Sequence, residues 1–303
     1  PPLVQSPEMQ SFYNLLAEAA HKTGCNCGLN YEGVLGAFGP PYLRKIREMC
    51  RMLDIKATLA AQNGDANGAF DTILTGFKLA NLLKQEPYLS NLEIRNISDE
   101  LMIDCLERLS NDVDIPADKA REIIAELSKH TDAAPWIRAM DIERICIGLW
   151  YYNEASTNLY EAWPGHASIR ADHPPLSPME AWRWKYLVTP LARPWLKKDI
   201  SVYLVLLSQV QDYHKVPYYQ VASTLREKPT YDQVPGYCFI ISKMLLPIID
   251  ETVTRNAKHN AEVEIARMGL GLKLYKQING AYPDTLDKLA PEFLDIIPVD
   301  PFT

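Results

Sequence analysis

The densest run of residues able to do chemistry lies in WPGHASIRADHPP, where His166, Arg170, Asp172 and His173 fall within eight positions. Two imidazoles and a carboxylate are the donors a divalent metal takes, and the same trio can pass protons at neutral pH. His166, Asp172 and His173 are therefore the metal or acid–base candidates. The alternative is a solvated loop whose histidines face water or cap helices, because neighbours in sequence need not converge in space. The surrounding stretch, from Trp150 to Tyr186, is rich in aromatics and interleaved with Glu154, Glu161, Asp172 and Glu180. Flat rings beside carboxylates suit a sugar or peptide ligand, with rings holding a face and acids orienting its polar groups. Trp163, Trp182, Trp184, Glu161 and Glu180 are the binding candidates, although most aromatics of a helical protein are core. A pair of acids could also hydrolyse a glycosidic bond, at a separation that sequence does not give.

Cys25 and Cys27 are too close to bridge each other readily, and their spacing lacks the second ligand pair of a structural zinc site. The other cysteines are Cys50, Cys105, Cys146 and Cys238. Cys50, Cys105 and Cys146 fall in helical apolar patterns, where cysteine behaves as a small hydrophobe. His21, His130, His214 and His259 read as ordinary residues of polar helix faces or ends. There is no phosphate-binding glycine loop, no His-Glu-x-x-His helix and no Gly-x-Ser-x-Gly elbow, and no cofactor is expected. Whether the chain is an enzyme stays open.

The elements that must position these residues are helical. The chain has 303 residues, 47% hydrophobic and 23% charged, with a net charge of −7. That acidic balance argues against a nucleic-acid partner, which needs a surplus of Lys and Arg. The strongest apolar run, Tyr203–Leu207, is far too short to span a bilayer. Spacing and turn signals predict a helix from Tyr42 to Gln62, a turn at Asn63-Gly64-Asp65, and a second helix from Ala66 to Leu83. Small residues at Ala57, Ala60, Ala69 and Gly76 mark a close approach within this pair.

Asn96 and Ser98-Asp99-Glu100 read as a capping signal for a helix carrying Leu101, Cys105 and Leu109. Asp114-Ile-Pro116 opens the next helix, with Ile123, Ile124 and Leu127 on one side. A further helix from Pro135 to Tyr152 carries Ile142, Ile145, Cys146 and Leu149 on one face. Residues 154–194, with six prolines, read as a long excursion between two helical halves. After it come a helix from Trp195 to His214 and then two helices, or one bent at Pro247, from Gly236 to Ile278. Its end shows an apolar stripe of Ala261, Ile265, Met268, Leu272 and Tyr275, with Gly269 and Gly271 suggesting close packing. Strand-like alternation is scarce. The expected fold is all-α, with stacked antiparallel helical hairpins, α-solenoid-like, and a small irregular C-terminal clamp. The expected divisions are 1–153, 154–194 and 195–303.

The tail LGLKLYKQINGAYPDTLDKLAPEFLDIIPVDPFT, Leu270–Thr303, ends an amphipathic helix at Asn279-Gly280 and continues through Tyr282-Pro283 to Pro298-x-Asp300-Pro301. It resembles the segment after the long helix of type II secretion pseudopilins, and more closely the tail of a group of uncharacterised bacterial envelope proteins with helical-repeat bodies. In the tail, Leu286 and Leu289 are expected to pack back on the preceding helix, with Phe293, Ile296 and Ile297 as further anchors. The hairpin from Arg44 to Pro87 resembles a tetratricopeptide unit, with Ala57, Ala69 and Gly76 in the small-residue places but Leu53 and Asn81 where that pattern has its Trp and Pro. The pilus-assembly helix of pseudopilins has no counterpart here, and the catalytic Glu-Ser run of lytic transglycosylases is missing.

The resemblance implies an extracytoplasmic, periplasmic protein held by an N-terminal anchor that would precede Pro1. Membrane contact would run only through that anchor, with a protein partner in the envelope. The function it implies is a non-enzymatic interaction or scaffold role. The alternative is a glycan- or peptide-binding protein, or a metal-dependent hydrolase, using the region 154–186.

Overall fold

The computed structural model describes residues 6–26, 42–86, 88–162, 177–227, 229–236 and 241–303. Among them the fold is all-α, with no strand. The chain forms two compact units. One takes the described residues from 6 to 135 together with 256–303, and the other takes 136–255.

The first unit opens with α1 (Pro7–Ala20), whose Ser6 caps the helix by accepting from the Met9 amide at 3.3 Å, with proline at the first position. The hairpin forms as the spacing predicts, from α2 (Tyr42–Gln62) and α3 (Ala66–Leu82). Gly64 takes φ +79 in the turn, a backbone region that favours glycine, and Asp65 Oδ1 caps α3 from 2.8 Å. Ala57 and Ala69 are fully buried. A methyl group on Gly76 would lie 2.2 Å from the sulfur of Met102 on α4 (Leu89–Asp112), so α3 and α4 touch where glycine stands. Leu53, Phe70, Ile73 and Phe77 fill the space between these helices, each burial stabilising by about 1.5–3 kcal/mol.

The expected helix start at Asn96–Ser98 is corrected. Helix α4 begins at Leu89 and runs straight through those positions, with Asn96, Ser98 and Asp99 buried inside it. Helix α5 (Ala117–Leu127) follows Pro116 and buries Ile123, Ile124 and Leu127 as expected.

The second unit departs further from expectation. Helix α6 (Ala134–Ile142) passes through a π-helical turn, Glu143–Leu149, into α7 (Trp150–Thr157). The wider turn rotates the following side chains, so Ile145 and Leu149 are 60% and 43% exposed while Glu143 is buried. Gly148 lies there against Tyr203, whose ring edge is 2.5 Å from where a methyl would stand. The described parts of the supposed excursion are helical too: α8 (Leu159–Ala162), α9 (Pro178–Arg183), a π turn Trp184–Val188, and α10 (Thr189–Tyr213), the last three continuous. Pro178 occupies the first turn of α9, where a missing N–H removes no helical bond. The Thr189 hydroxyl donates to the Trp184 carbonyl at 2.7 Å and accepts from the Leu159 amide at 3.0 Å, tying α8 to the junction.

Helix α11 (Tyr218–Glu227) leads to one long helix, α12 (Ile241–Asn279), which contains Pro247. Buried Asp199 on α10 accepts from the amide and hydroxyl of Ser242 at 3.1 and 2.6 Å, placing a carboxylate at the positive end of α12.

In its C-terminal part α12 buries Val263, Ala266, Leu270 and Leu274 most deeply; of the expected stripe, Met268, Leu272 and Tyr275 are partly buried against the core, and Ile265 is 56% exposed. Gly269 faces open space; only Gly271 meets neighbours, the side chains of Leu289 and Leu294. The tail clamps the helix through Leu289, Phe293 and Leu294, with Phe293 5.5 Å from the Tyr275 ring. Leu286 and Ile296 are exposed, 44% and 70%, and Ile297 is only partly buried.

Candidate functional site

The concentration of titratable groups in the described structure is buried in the first unit, on helices that sequence reasoning treated as plain packing. On α4 the apolar face runs Leu92, Met102, Leu106, but its middle carries Arg95, Asn96 and Asp99. Arg95 and Asp99 are one turn apart, with Nε 3.9 Å from Oδ2, and neither side chain reaches solvent. The Arg95 guanidinium also donates to the backbone carbonyl of His130. His130 lies in the turn closing α5 and brings Nδ1 to 2.8 Å from Asp99 Oδ2. His259 on α12 brings Nε2 to 2.9 Å from the same oxygen. One carboxylate oxygen thus joins α4, α12 and the end of α5.

The network continues outward. His130 Nε2 faces Glu126 Oε1 at 3.7 Å. Glu126 accepts from Asn81 Nδ2 at 3.0 Å and from Lys129 Nζ at 2.7 Å. Phe77 sets its ring edge-on to the His130 imidazole at 6.0 Å. Positive and negative groups alternate along this path, which is how a low-dielectric interior tolerates charge.

Electrostatics follow from the geometry. Burial alone would raise the Asp99 pKa, but the two histidines, His130 foremost, hold it far below the usual carboxylate range. Burial disfavours charge on His130, and the Asp99 carboxylate outweighs it, so its pKa is raised. Glu126 is brought down to about 2: desolvation opposes the shift, and the nearby His130 ring together with hydrogen bonds from Lys129 and Asn81 overcomes it.

An aspartate–histidine pair can act in acid–base catalysis, but a reacting group must reach it. Here the Ser98 hydroxyl donates to the Ile94 carbonyl at 2.7 Å, and the nearby Cys50 thiol is pushed up to about 11 by burial. Asp99 Oδ2 already takes a ring nitrogen from each histidine, and among the described residues no group of three or more His, Cys, Asp or Glu is arranged to hold a metal. The cluster joins α4, α12 and the end of α5 through one carboxylate.

His130 and His214 do stand at helix ends, but both are buried there, and His259 lies on a buried face of α12 rather than a polar one. His214 is 7% exposed, stacked on Trp136 at 5.4 Å, and lowered to about 4 by burial. His21, by contrast, is exposed at the end of α1. The signal for the cluster was present as polar residues at Arg95 and Asp99 on an otherwise apolar helical face.

The residues singled out from sequence are placed as follows. Trp163, His166, Arg170, Asp172 and His173 lie outside the described residues, as does the side chain of Glu161. Glu180 closes a capping box on α9, its Oε2 accepting from the Ser177 amide at 2.9 Å and hydroxyl at 2.7 Å. Trp182 is 53% exposed and 5.8 Å from the Tyr186 ring. Trp184 is half-buried against Tyr160 at 5.6 Å.

An open groove of roughly 190 Å³ runs along α4 and α12 in the first unit, floored by Leu106, Ala266, Gly269 and Leu270. Ile265 stands on its wall, with Glu107 and Lys273 at its rim. No protein-family model, curated protein or solved structure matches this chain.

Proposed function

We propose that this protein is a non-enzymatic interaction or scaffold protein of the bacterial cell envelope, which takes one or two apolar side chains of a protein partner in the groove between α4 and α12. The observation that carries this reading is the contrast within the first unit. Its cluster of titratable groups around Asp99 is sealed from solvent, while an apolar groove with an exposed isoleucine lies open. Apolar surface left open beside charged rims suits partner recognition. The envelope location rests on the likeness of the Tyr282-Pro283 and Asp300-Pro301 tail to envelope proteins, and on the membrane anchor which that likeness implies. The test is photo-crosslinking in bacteria from residue 265, paired with Ile265→Asp. A defined crosslinked envelope partner, lost in the variant, supports the reading. Stoichiometric metal in untagged protein, or turnover of a substrate, would replace it with a catalytic one.

The exposed Trp182–Tyr186 ring pair supports a second reading, glycan or peptide binding in the region 154–186. The metal-dependent form of that reading depends on His166, Asp172 and His173.

A further inference from the structure

We infer that the outer face of the continuous helix 178–200 is a docking surface for an anionic lipid bilayer, lying in the plane of the membrane interface. This goes beyond the partner groove, sits in the other unit, and does not depend on it. Along this helix Met179, Trp182, Tyr186, Leu187, Leu191 and Trp195 are 49–72% exposed. Leu196, Asp199 and Ile200 mark the opposite, buried side. Among the described residues this row of large apolar side chains is left largely facing water over about five turns.

Charge selects the occupant. Five basic residues, Arg183, Lys185, Arg193, Lys197 and Lys198, stand on this stretch in a chain whose net charge is −7. All five are exposed. The two acidic residues do not oppose a negative surface: Glu180 is folded back on the cap of α9, and Asp199 is buried against Ser242. Self-pairing of this face across a two-fold axis would set cations against cations. An acidic protein would satisfy the charges, but the combination of Trp and Tyr rings with leucines between them and Lys and Arg alongside is what the lipid–water boundary takes. The Lys185 ammonium already lies over the Tyr186 ring, 5.6 Å from its centre. No described helix is long and apolar enough to cross a membrane, so the contact is peripheral.

The experiment is co-sedimentation of the full chain with vesicles of phosphatidylcholine, with or without phosphatidylglycerol. Binding is expected to the anionic vesicles and about tenfold weaker to neutral ones, and to fall with added salt. Trp182→Ser with Trp195→Ser should weaken binding by about tenfold or more. Lys185→Glu with Lys197→Glu should remove the preference for anionic lipid, and brominated lipid should quench tryptophan emission only in proteins retaining Trp182 and Trp195. Circular dichroism checks the fold; if the tryptophan pair fails to fold, the exposed lysine pair decides. No sedimentation with anionic vesicles, equal binding to both vesicle types, or binding unchanged by the lysine pair overturns the inference. Retention on polyglutamate without vesicle binding would also overturn it, in favour of an acidic protein partner.

Discussion

Asp99 and His259 stand 160 positions apart and meet at 2.9 Å, with both side chains sealed from solvent. The same Asp99 oxygen holds His130 at 2.8 Å, so one carboxylate pins the C-terminal helix to the hairpin body. Charges buried in this way are costly to leave unpaired, which makes the cluster the sharpest place to test the fold.

Replacing Asp99 by Ala should destabilise the first unit by about 3–5 kcal/mol, since Arg95 and His130 would keep buried charge without their partner. Urea unfolding followed by far-ultraviolet circular dichroism measures this. A loss under about 1 kcal/mol would show that the cluster does not hold α12 in place.

Two of the three buried histidines, His130 and His214, should give opposite pH responses. The folded pKa of His130 is raised, so its contribution is full below the unfolded value near 6.5 and is lost as pH rises through the folded value. Asp99 and Glu126 are lowered, so their contributions hold above ordinary carboxylate values and fade as pH falls, for Glu126 toward about 2. His214 is lowered to about 4, so the second unit should lose stability as pH falls from about 6.5 to 4, by roughly 3 kcal/mol. His214→Phe keeps a flat ring on Trp136 and should flatten that acid limb. Hydrogen exchange at several pH values, resolved by peptide, separates the two units.

Glycine substitutions should rank by the stiffness of the neighbour. At Gly148 an added methyl meets the rigid, fully buried Tyr203 ring at 2.5 Å, whereas at Gly76 it meets the flexible end of Met102 at 2.2 Å. Gly148→Ala is expected to cost about 1–3 kcal/mol by overpacking, and Gly76→Ala less. Adding Met102→Leu should change the cost of Gly76→Ala but not that of Gly148→Ala, as read from thermal unfolding of the double variants.

Cys50 and Cys105 should resist thiol reagents in the native protein. Burial raises them to about 11 and 12, with Asp54 adding to the effect at Cys105, so little thiolate exists at neutral pH. Peptide mapping after alkylation should find both modified only in denaturant. Rapid native labelling of either would mean that α2 and α4 open readily.

By itself the sequence determined the helical class, the α2–α3 hairpin with its Gly64 turn, and the tail's return onto the last helix, because these depend on local spacing and turn chemistry. Single-face periodicity was less secure. On α12 the deepest burial fell on Val263, Ala266, Leu270 and Leu274, beside the expected stripe, and the π turn at Glu143–Leu149 rotated Ile145 and Leu149 outward, since the winding of a helix is set partly by what packs on it. Ser98 and Asp99 carried a local signal of capping that tertiary packing overrode: with His130 and His259 brought to one oxygen, they could stay inside α4. Polar groups at the centre of an apolar face can be read from the chain, but their partners cannot. Asp99, His130 and His259 become a site only when long-range packing removes water and leaves each charge no choice but the others.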